Sequence, residues 1–316
     1  SGARLTQIMT VTVNPAIDVS TSVGTIAPFT KLRCAAPHKD PGGGGINVAR
    51  VVHRLGGDVV AIYPDGGASG RLLRALVDRE GVRSVAVPAA AETRQDFTVL
   101  EESTHRQYRF VMPGAPLGER EWQACIEPIT RADPAPAYVV ASGSLPPGVP
   151  EDFFARVARA AKKTGAKTVI DTSGRPFKAA LDEGVHLIKP NLREFQELTG
   201  IASADEASLI EAGRALMDRG AVDIIALSMG PQGALLITRE RALRADSLAI
   251  EPVSVVGAGD SFLGAVVWSL ARNDSLETVL RHGVAAGSAA LLNPGTELCR
   301  PADLERLAPQ VKVVTL

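Results

Sequence analysis

From Pro136 onward, short β-branched runs alternate with helix-length amphipathic stretches, and this alternation restricts the fold of the 316-residue chain more than any other feature. Residues 137–140 read as a strand and 151–163 as a helix. Residues 168–170 read as a strand ending at Asp171, and 186–188 as one ending at Lys189-Pro190-Asn191. Residues 214–218 continue helical, and 224–227 form a strand ending at Ser228-Met229-Gly230-Pro231-Gln232-Gly233. Strand, helix and strand in succession imply parallel strands joined by helical crossovers, hence an α/β fold. Polar residues gather at the strand ends, where open parallel sheets bind ligands.

The N-terminal half begins in the same way. Residues 8–13 form a buried strand closed by Asn14-Pro15, 59–63 a strand, 71–79 a helix and 85–87 a strand. Asp18 lies just past the first strand, facing a ligand or stabilising a turn. The rhythm then breaks, because 97–100 and 107–111 are two β-type runs joined by polar residues 101–106 with no helix between. A hairpin fits this pattern, with Arg94 at its root. The segment 16–39 also lacks helical periodicity, so it and 94–112 together are expected to form a small β-sheet lid over the cleft. If 30–33 is extended, Lys31 and Arg33 share a face, to hold a phosphate or to guard an edge strand.

Composition narrows the function. The chain is 45% hydrophobic and 22% charged with a net charge of −1, which argues against a nucleic-acid surface. Any phosphate site must be a local cluster of Lys, Arg and backbone N–H. Cys34, Cys125 and Cys299 show neither disulfide nor metal-site spacing. No apolar run approaches a membrane span and no signal-peptide core is visible, so a cytoplasmic protein without a membrane partner is expected. Ser1-Gly2 resembles a cleavage remnant, and one domain over 3–316 is expected, with no linker dividing the core.

Two glycine stretches carry the chemistry. Pro41-Gly42-Gly43-Gly44-Gly45-Ile46-Asn47 opens a helix that ends at Gly56-Gly57. Four successive glycines forgo packing and cost backbone entropy, which close approach of a ligand explains. Neither a P-loop nor the dinucleotide Gly-x-Gly-x-x-Gly fits, since Asn47 or Val48 occupies the third glycine position. The second stretch, Ser254-Val255-Val256-Gly257-Ala258-Gly259-Asp260, feeds a helix through Gly-Ala-Gly by way of a strand or loop. Backbone N–H groups at such a helix start favour an anion. Asp260, the only carboxylate in that turn, is suited to accept a proton from a hydroxyl, or else caps the helix. Asn191 with Glu194 has capping-box spacing. Together these features suit phosphoryl transfer from a nucleotide.

Both stretches resemble the two signatures of the PfkB-type sugar kinases of the ribokinase superfamily, and the similarity runs essentially end to end. Residues 31–34, 41–50, 108–115, 142–149, 230–234 and 284–290 are similar to those of its minor bacterial 6-phosphofructokinase branch. The resemblance implies a ribokinase-like three-layer α/β/α core with a mostly parallel sheet and a β lid. It implies ATP-dependent phosphorylation of fructose 6-phosphate at the 1-hydroxyl. Asp260 would be the base, Gly257, Ala258 and Gly259 the anion hole, and Lys189 the neighbour of the transferring phosphate. Asp18, Gly43, Gly44, Asn47 and Ser144 would hold the sugar, and Lys31, Arg33 and Arg94 its phosphate, with part of that contact supplied by a second subunit in some members. Asn191 and Glu194 would organise Mg²⁺ largely through water, while Ser228, Gly230, Gly233 and Asn293 would line the ATP site. A homodimer through the lids, K⁺ near the anion hole and, in some members, inhibition by a second MgATP belong to the same pattern.

Relatives acting on fructose 1-phosphate or tagatose 6-phosphate commonly carry Gly-Gly-Lys-Gly where this chain has Gly42 to Gly45, so the absent Lys favours fructose 6-phosphate. Asn14 and Asp96 depart from the branch pattern beside the sugar site. A non-catalytic sugar-phosphate sensor on the same fold is the competing class. The intact Asp260 and Gly-Ala-Gly turn speak against it, because a sensor needs no base.

Overall fold

Nearly continuous runs of Val, Ile, Leu and Ala build the frame, as strands covered on both faces require. A computed structural model describes residues 7–316; Ser1-Gly2 and the expected domain start at residue 3 lie outside the described residues. The strands are β1 (Ile8–Val11), β2 (Ala16–Val23), β3 (His38–Gly42), β4 (Val59–Asp65), β5 (Arg83–Pro88), β6 (Arg94–Glu101) and β7 (Arg106–Phe110). They continue as β8 (Tyr138–Ser142), β9 (Lys167–Asp171), β10 (Val185–Ile188), β11 (Val222–Ser228), β12 (Ala234–Ile237), β13 (Ala242–Ala245) and β14 (Val313–Thr315). Ten form one sheet in the order β14-β13-β12-β11-β10-β9-β8-β1-β4-β5. From β5 to β11 every pairing is parallel, and only the β12–β14 edge is antiparallel.

Side chains on these strands alternate between two cores. In β8, Tyr138 and Val140 join one apolar cluster while Val139 and Ala141 join the other. The helices Gly44–Arg54, Gly67–Arg79, Ala258–Ala271 and Leu276–Ala290 cover the first face. Phe153–Thr164, Gly174–Glu183, Leu192–Thr199 and Glu206–Asp218 cover the second. The result is the expected three-layer ribokinase-like α/β/α arrangement.

The other four strands make a small sheet in the order β3-β2-β6-β7. The expected hairpin is β6–β7, and β6 pairs in parallel with β2 from Ala16↔Arg94 to Val23↔Glu101. Asp96 and Thr98 point inward and are buried, whereas Phe97 and its cross-strand partner Phe110 are exposed.

Several expectations need correction. Lys31 and Arg33 lie in an exposed segment without strand structure, because both edges of β2 are already taken by β3 and β6. The run from Pro41 is not loop throughout, since Pro41 and Gly42 end β3. Of the strand or loop expected before Gly257, the structure has the loop. The antiparallel β12–β14 edge, the helix Gly174–Glu183 and the short helices Glu119–Ala124 and Glu127–Thr130 were not foreseen, being too short or too polar to declare a period. Among the described residues, no helix is long and apolar enough to cross a membrane.

Candidate active site

The strand ends of the large sheet converge beneath the small one. The helix Ala258–Ala271 starts from Gly257, whose φ of 81° is a left-handed conformation that suits glycine. Its first N–H groups have no partner within the helix. Lys189, just past β10, brings its ammonium over this turn; a methyl built on Gly259 would stand 3.2 Å from Lys189 Nζ. Lys189 Nζ also lies 3.6 Å from Asp171 Oδ2 at the end of β9. Burial pulls the Lys189 ammonium down, but Asp171, Asp260 and Glu194 outweigh it, and its pKa is raised. The lysine therefore stays charged where an anion would sit.

Asp260 occupies the first turn of its helix and accepts a hydrogen bond from Asn47 Nδ2 at 2.9 Å. Two glycine stretches more than 200 residues apart thus meet at one carboxylate. Burial and then Asp171 push Asp260 up to about 6, while Asn47, Lys189 and Arg109 pull it back. A carboxylate of this kind is ionised at neutral pH and still basic enough to take a proton.

Around Asp18 the glycine run fits tightly. A Cβ on Gly42 would fall 2.2 Å from Asp18 Oδ2, and one on Gly44 would fall 2.2 Å from Ser142 Oγ; Gly43 between them has φ 113°. Burial and then Asp96 raise Asp18 to about 7, against Arg109 and Arg50. Ser144 is exposed at the end of β8 and accepts from Asn14 Nδ2 at 2.8 Å. Arg94 is committed elsewhere. It donates to the carbonyls of Asn14 (2.9 Å), Met112 (3.1 Å) and Pro15 (3.4 Å), and pairs with Asp96 at 3.3 Å. The two residues that depart from the branch pattern, Asn14 and Asp96, are thus the ones that seat Ser144 and Arg94.

On the nucleotide side, Asn191 and Glu194 form the predicted capping box, with Glu194 N donating to Asn191 Oδ1 at 2.8 Å and Asn191 N to Glu194 Oε1 at 3.0 Å. A bridge between Asn191 and Ser228 brings the expected metal and nucleotide residues together. Gly230 and Gly233 shape the turn after β11, with φ of 55° and 93°. Asn293 is buried and donates its amide Nδ2 to Leu298 O at 2.7 Å. Lys31 and Arg33 are exposed, and among the described residues neither is hydrogen-bonded or ion-paired to another expected site residue. Three residues were missed from sequence. Asp171 carried a strand-end signal, Arg109 sits on the exposed arm β7 yet its charge reaches both Asp18 and Asp260, and Arg50 had no signal beyond helical spacing.

Residues 11–303 match the profile described as "pfkB family carbohydrate kinase". The chain belongs to this family. The chain is 45% identical over 300 residues to the ATP-dependent 6-phosphofructokinase isozyme 2 of Mycobacterium tuberculosis, covering 95% of this chain and 88% of the relative. It is 41% identical over 304 residues to the isozyme 2 of Escherichia coli K12, covering 96% and 98%. The crystal structure of Escherichia coli phosphofructokinase-2 in complex with fructose-6-phosphate superposes with a TM-score of 0.90 at 39% identity, covering 97% and 99% of the two chains.

Proposed function

We propose that this member of the pfkB family transfers the γ-phosphoryl group of ATP to the 1-hydroxyl of fructose 6-phosphate, giving fructose 1,6-bisphosphate and ADP. The observation that carries this reading is the meeting of Asp260, Asn47 and Lys189 at the Gly257–Gly259 turn, in a chain matching named 6-phosphofructokinases over nearly its whole length.

MgATP supplies the phosphoryl group; the chain's own residues place and charge the acceptor. Asp260 accepts the proton of the attacking hydroxyl, so the bond to phosphorus forms as the O–H bond breaks. Gly257, Ala258 and Gly259 N–H groups, with Lys189, offset the negative charge on the transferring group. Asp18, Gly43, Gly44, Asn47 and Ser144 hold the sugar. Its phosphate is held by Lys31, Arg33 and Arg109, while Arg94 ties the start of β6 to the Asn14, Pro15 and Met112 carbonyls. Asn191 and Glu194 offer hard oxygen ligands that suit Mg²⁺ held largely through water, beside Ser228, Gly230 and Gly233 on the nucleotide. Among the described residues no group of three or more His, Cys, Asp or Glu could hold a metal, so such an ion depends on water and nucleotide oxygens.

The small sheet serves as the lid of a single catalytic unit. Its outer face exposes Phe97 (39%), Tyr108 (37%) and Phe110 (50%), an apolar patch suited to pairing with a second lid in a homodimer.

Initial rates of ADP formation with fructose 6-phosphate, fructose 1-phosphate and tagatose 6-phosphate test the reading. A kcat/KM at least about tenfold higher for fructose 6-phosphate supports it. Preference for another sugar keeps the mechanism and moves the substrate, and no turnover with any of them returns the chain to the sensor class. With the base at about 6, kcat for the preferred sugar should rise along an acidic limb with its midpoint near that pH.

A further inference from the structure

Arg50 is the largest fully buried side chain, at 1% exposure, and the one expected sugar-site residue it hydrogen-bonds is Asn47. Its Nε donates to Glu80 Oε1 at 2.9 Å. Its Nη1 is directed at three oxygens from separate segments: Pro41 O at 3.1 Å, Asn47 Oδ1 at 3.2 Å and Thr296 O at 3.2 Å. Nη2, only 3.6 Å from Asp40 Oδ1, has no hydrogen-bond partner among the described residues. A guanidinium seated for charge balance alone would turn Nη2 onto Asp40. The observed pose favours the oxygens of Asn47, Pro41 and Thr296 instead.

Resting on the reading of Asp260 as the base, we propose that Arg50 is a positioning residue that fixes the amide of Asn47 and, through it, the carboxylate of Asp260. An asparagine amide has a donating and an accepting end and can turn over. Arginine cannot accept a hydrogen bond. With Arg50 Nη1 beside it, Asn47 must present Oδ1 to the guanidinium, which leaves Nδ2 to donate to Asp260 Oδ2 at 2.9 Å. Asn47 and Arg50 lie three residues apart in the helix Gly44–Arg54, on one face. A turned amide would set oxygen against oxygen at Asp260 and favour its protonated form, which cannot serve as the base.

The charged groups facing this chain are Asp171, Lys189 and Arg109 around Asp260. Glu80 and Asp40 surround Arg50, with Arg54 sharing Glu80 and Asp18 within reach of the guanidinium charge. None of them substitutes for the contact to Asn47 Oδ1, because Arg50 is the donor on that oxygen.

Arg50→Met removes the donor at similar length, Arg50→Lys keeps a head group that cannot accept, and Glu80→Gln weakens the ion pair alone. The acidic limb of kcat should move up by about one pH unit in Arg50→Met and fall near wild type in Arg50→Lys. It should stay in place in Glu80→Gln, which loses only thermal stability. At pH 7, kcat in Arg50→Met should drop about tenfold or more, with KM for the sugar rising less than kcat falls. A second readout uses the wild type without turnover: in ¹⁵N-labelled protein, the side-chain NH₂ signals of Asn47 should follow the ionisation of Asp260. A wild-type Asn47 signal indifferent to that ionisation would overturn the proposal even if Arg50→Met does not fold. So would an Arg50→Met enzyme with an unmoved limb and a loss of activity matching its loss of folded protein. If the wild type turns over none of the sugar phosphates, the base assignment fails while the Asn47 titration still decides the contact chain.

Discussion

Two glycine-rich starts of helices meet at Asp260, and their glycines serve different ends. At the first, a methyl on Gly45 would run into Thr12 Oγ1 at 2.4 Å and Val11 O at 2.7 Å, so the absent side chain lets the helix Gly44–Arg54 press against β1. At the second, a methyl on Gly259 would meet only the tip of Lys189 at 3.2 Å. At Gly45 the close neighbour is the protein itself, whereas at Gly259 only the end of one flexible side chain stands near. A run of glycines in sequence therefore signals close approach without saying whether the neighbour is the protein itself or something it binds.

The comparison breaks most sharply at the residue the two turns share. Asp260→Asn should lower kcat by about 10²–10⁴-fold while sugar binding, followed by calorimetry, survives. Near-normal turnover would remove Asp260 from the mechanism. Gly259→Ala should next reduce turnover about 10–100-fold with stability unchanged or slightly improved, since alanine favours a helix start and only a lysine tip must move. Gly45→Ala should do the opposite, costing about 1–3 kcal/mol in urea unfolding while the surviving folded enzyme keeps most of its kcat. Equal behaviour of the two alanine variants would erase the distinction drawn between the turns.

The smallest effect concerns Asp18, beside the first turn. Its folded pKa of about 7 stands above the ordinary 3.8, so the folded chain holds that proton more tightly than the unfolded one. The stability it contributes is whole at about pH 4 and is lost as pH rises toward 7. Asp18→Asn should therefore gain about 1–2 kcal/mol in unfolding at pH 8, gain little at pH 4, and lose affinity for the sugar. No gain at pH 8 would show that Asp18 is less strained than its surroundings imply.

Much of this was legible in sequence for a physical reason. Buried parallel strands must be apolar throughout and helix starts need caps, so β8 to β11 and the Asn191–Glu194 box could be read residue by residue. Interactions between distant segments left no such trace. Arg94 looked like a free cation at the root of a hairpin, but three backbone carbonyls claim it. Asn293 was read as lining the nucleotide site, and nothing in its local pattern showed that its amide also donates to Leu298 O. Lys31 and Arg33 carried a conditional reading, sharing a face if extended, because nothing in their local pattern shows that β2 has no edge left to offer. Arg50 lies in the middle of an ordinary helix, and only the fold brings Pro41, Asn47 and Thr296 to it.

The position of β1 has a further consequence, for biosynthesis. It pairs with β4 on one side and β8 on the other, so Ile8 meets both Val59 and Tyr138. As the chain leaves the ribosome, β4 arrives early, but the second edge of β1 stays open until residue 142 has been made. For that interval an apolar strand edge carrying Ile8, Met9 and Val11 is available to any neighbouring nascent chain. The seam joining the two halves of the sheet is therefore the point at which slow translation or chaperone shortage would first divert this protein into aggregates.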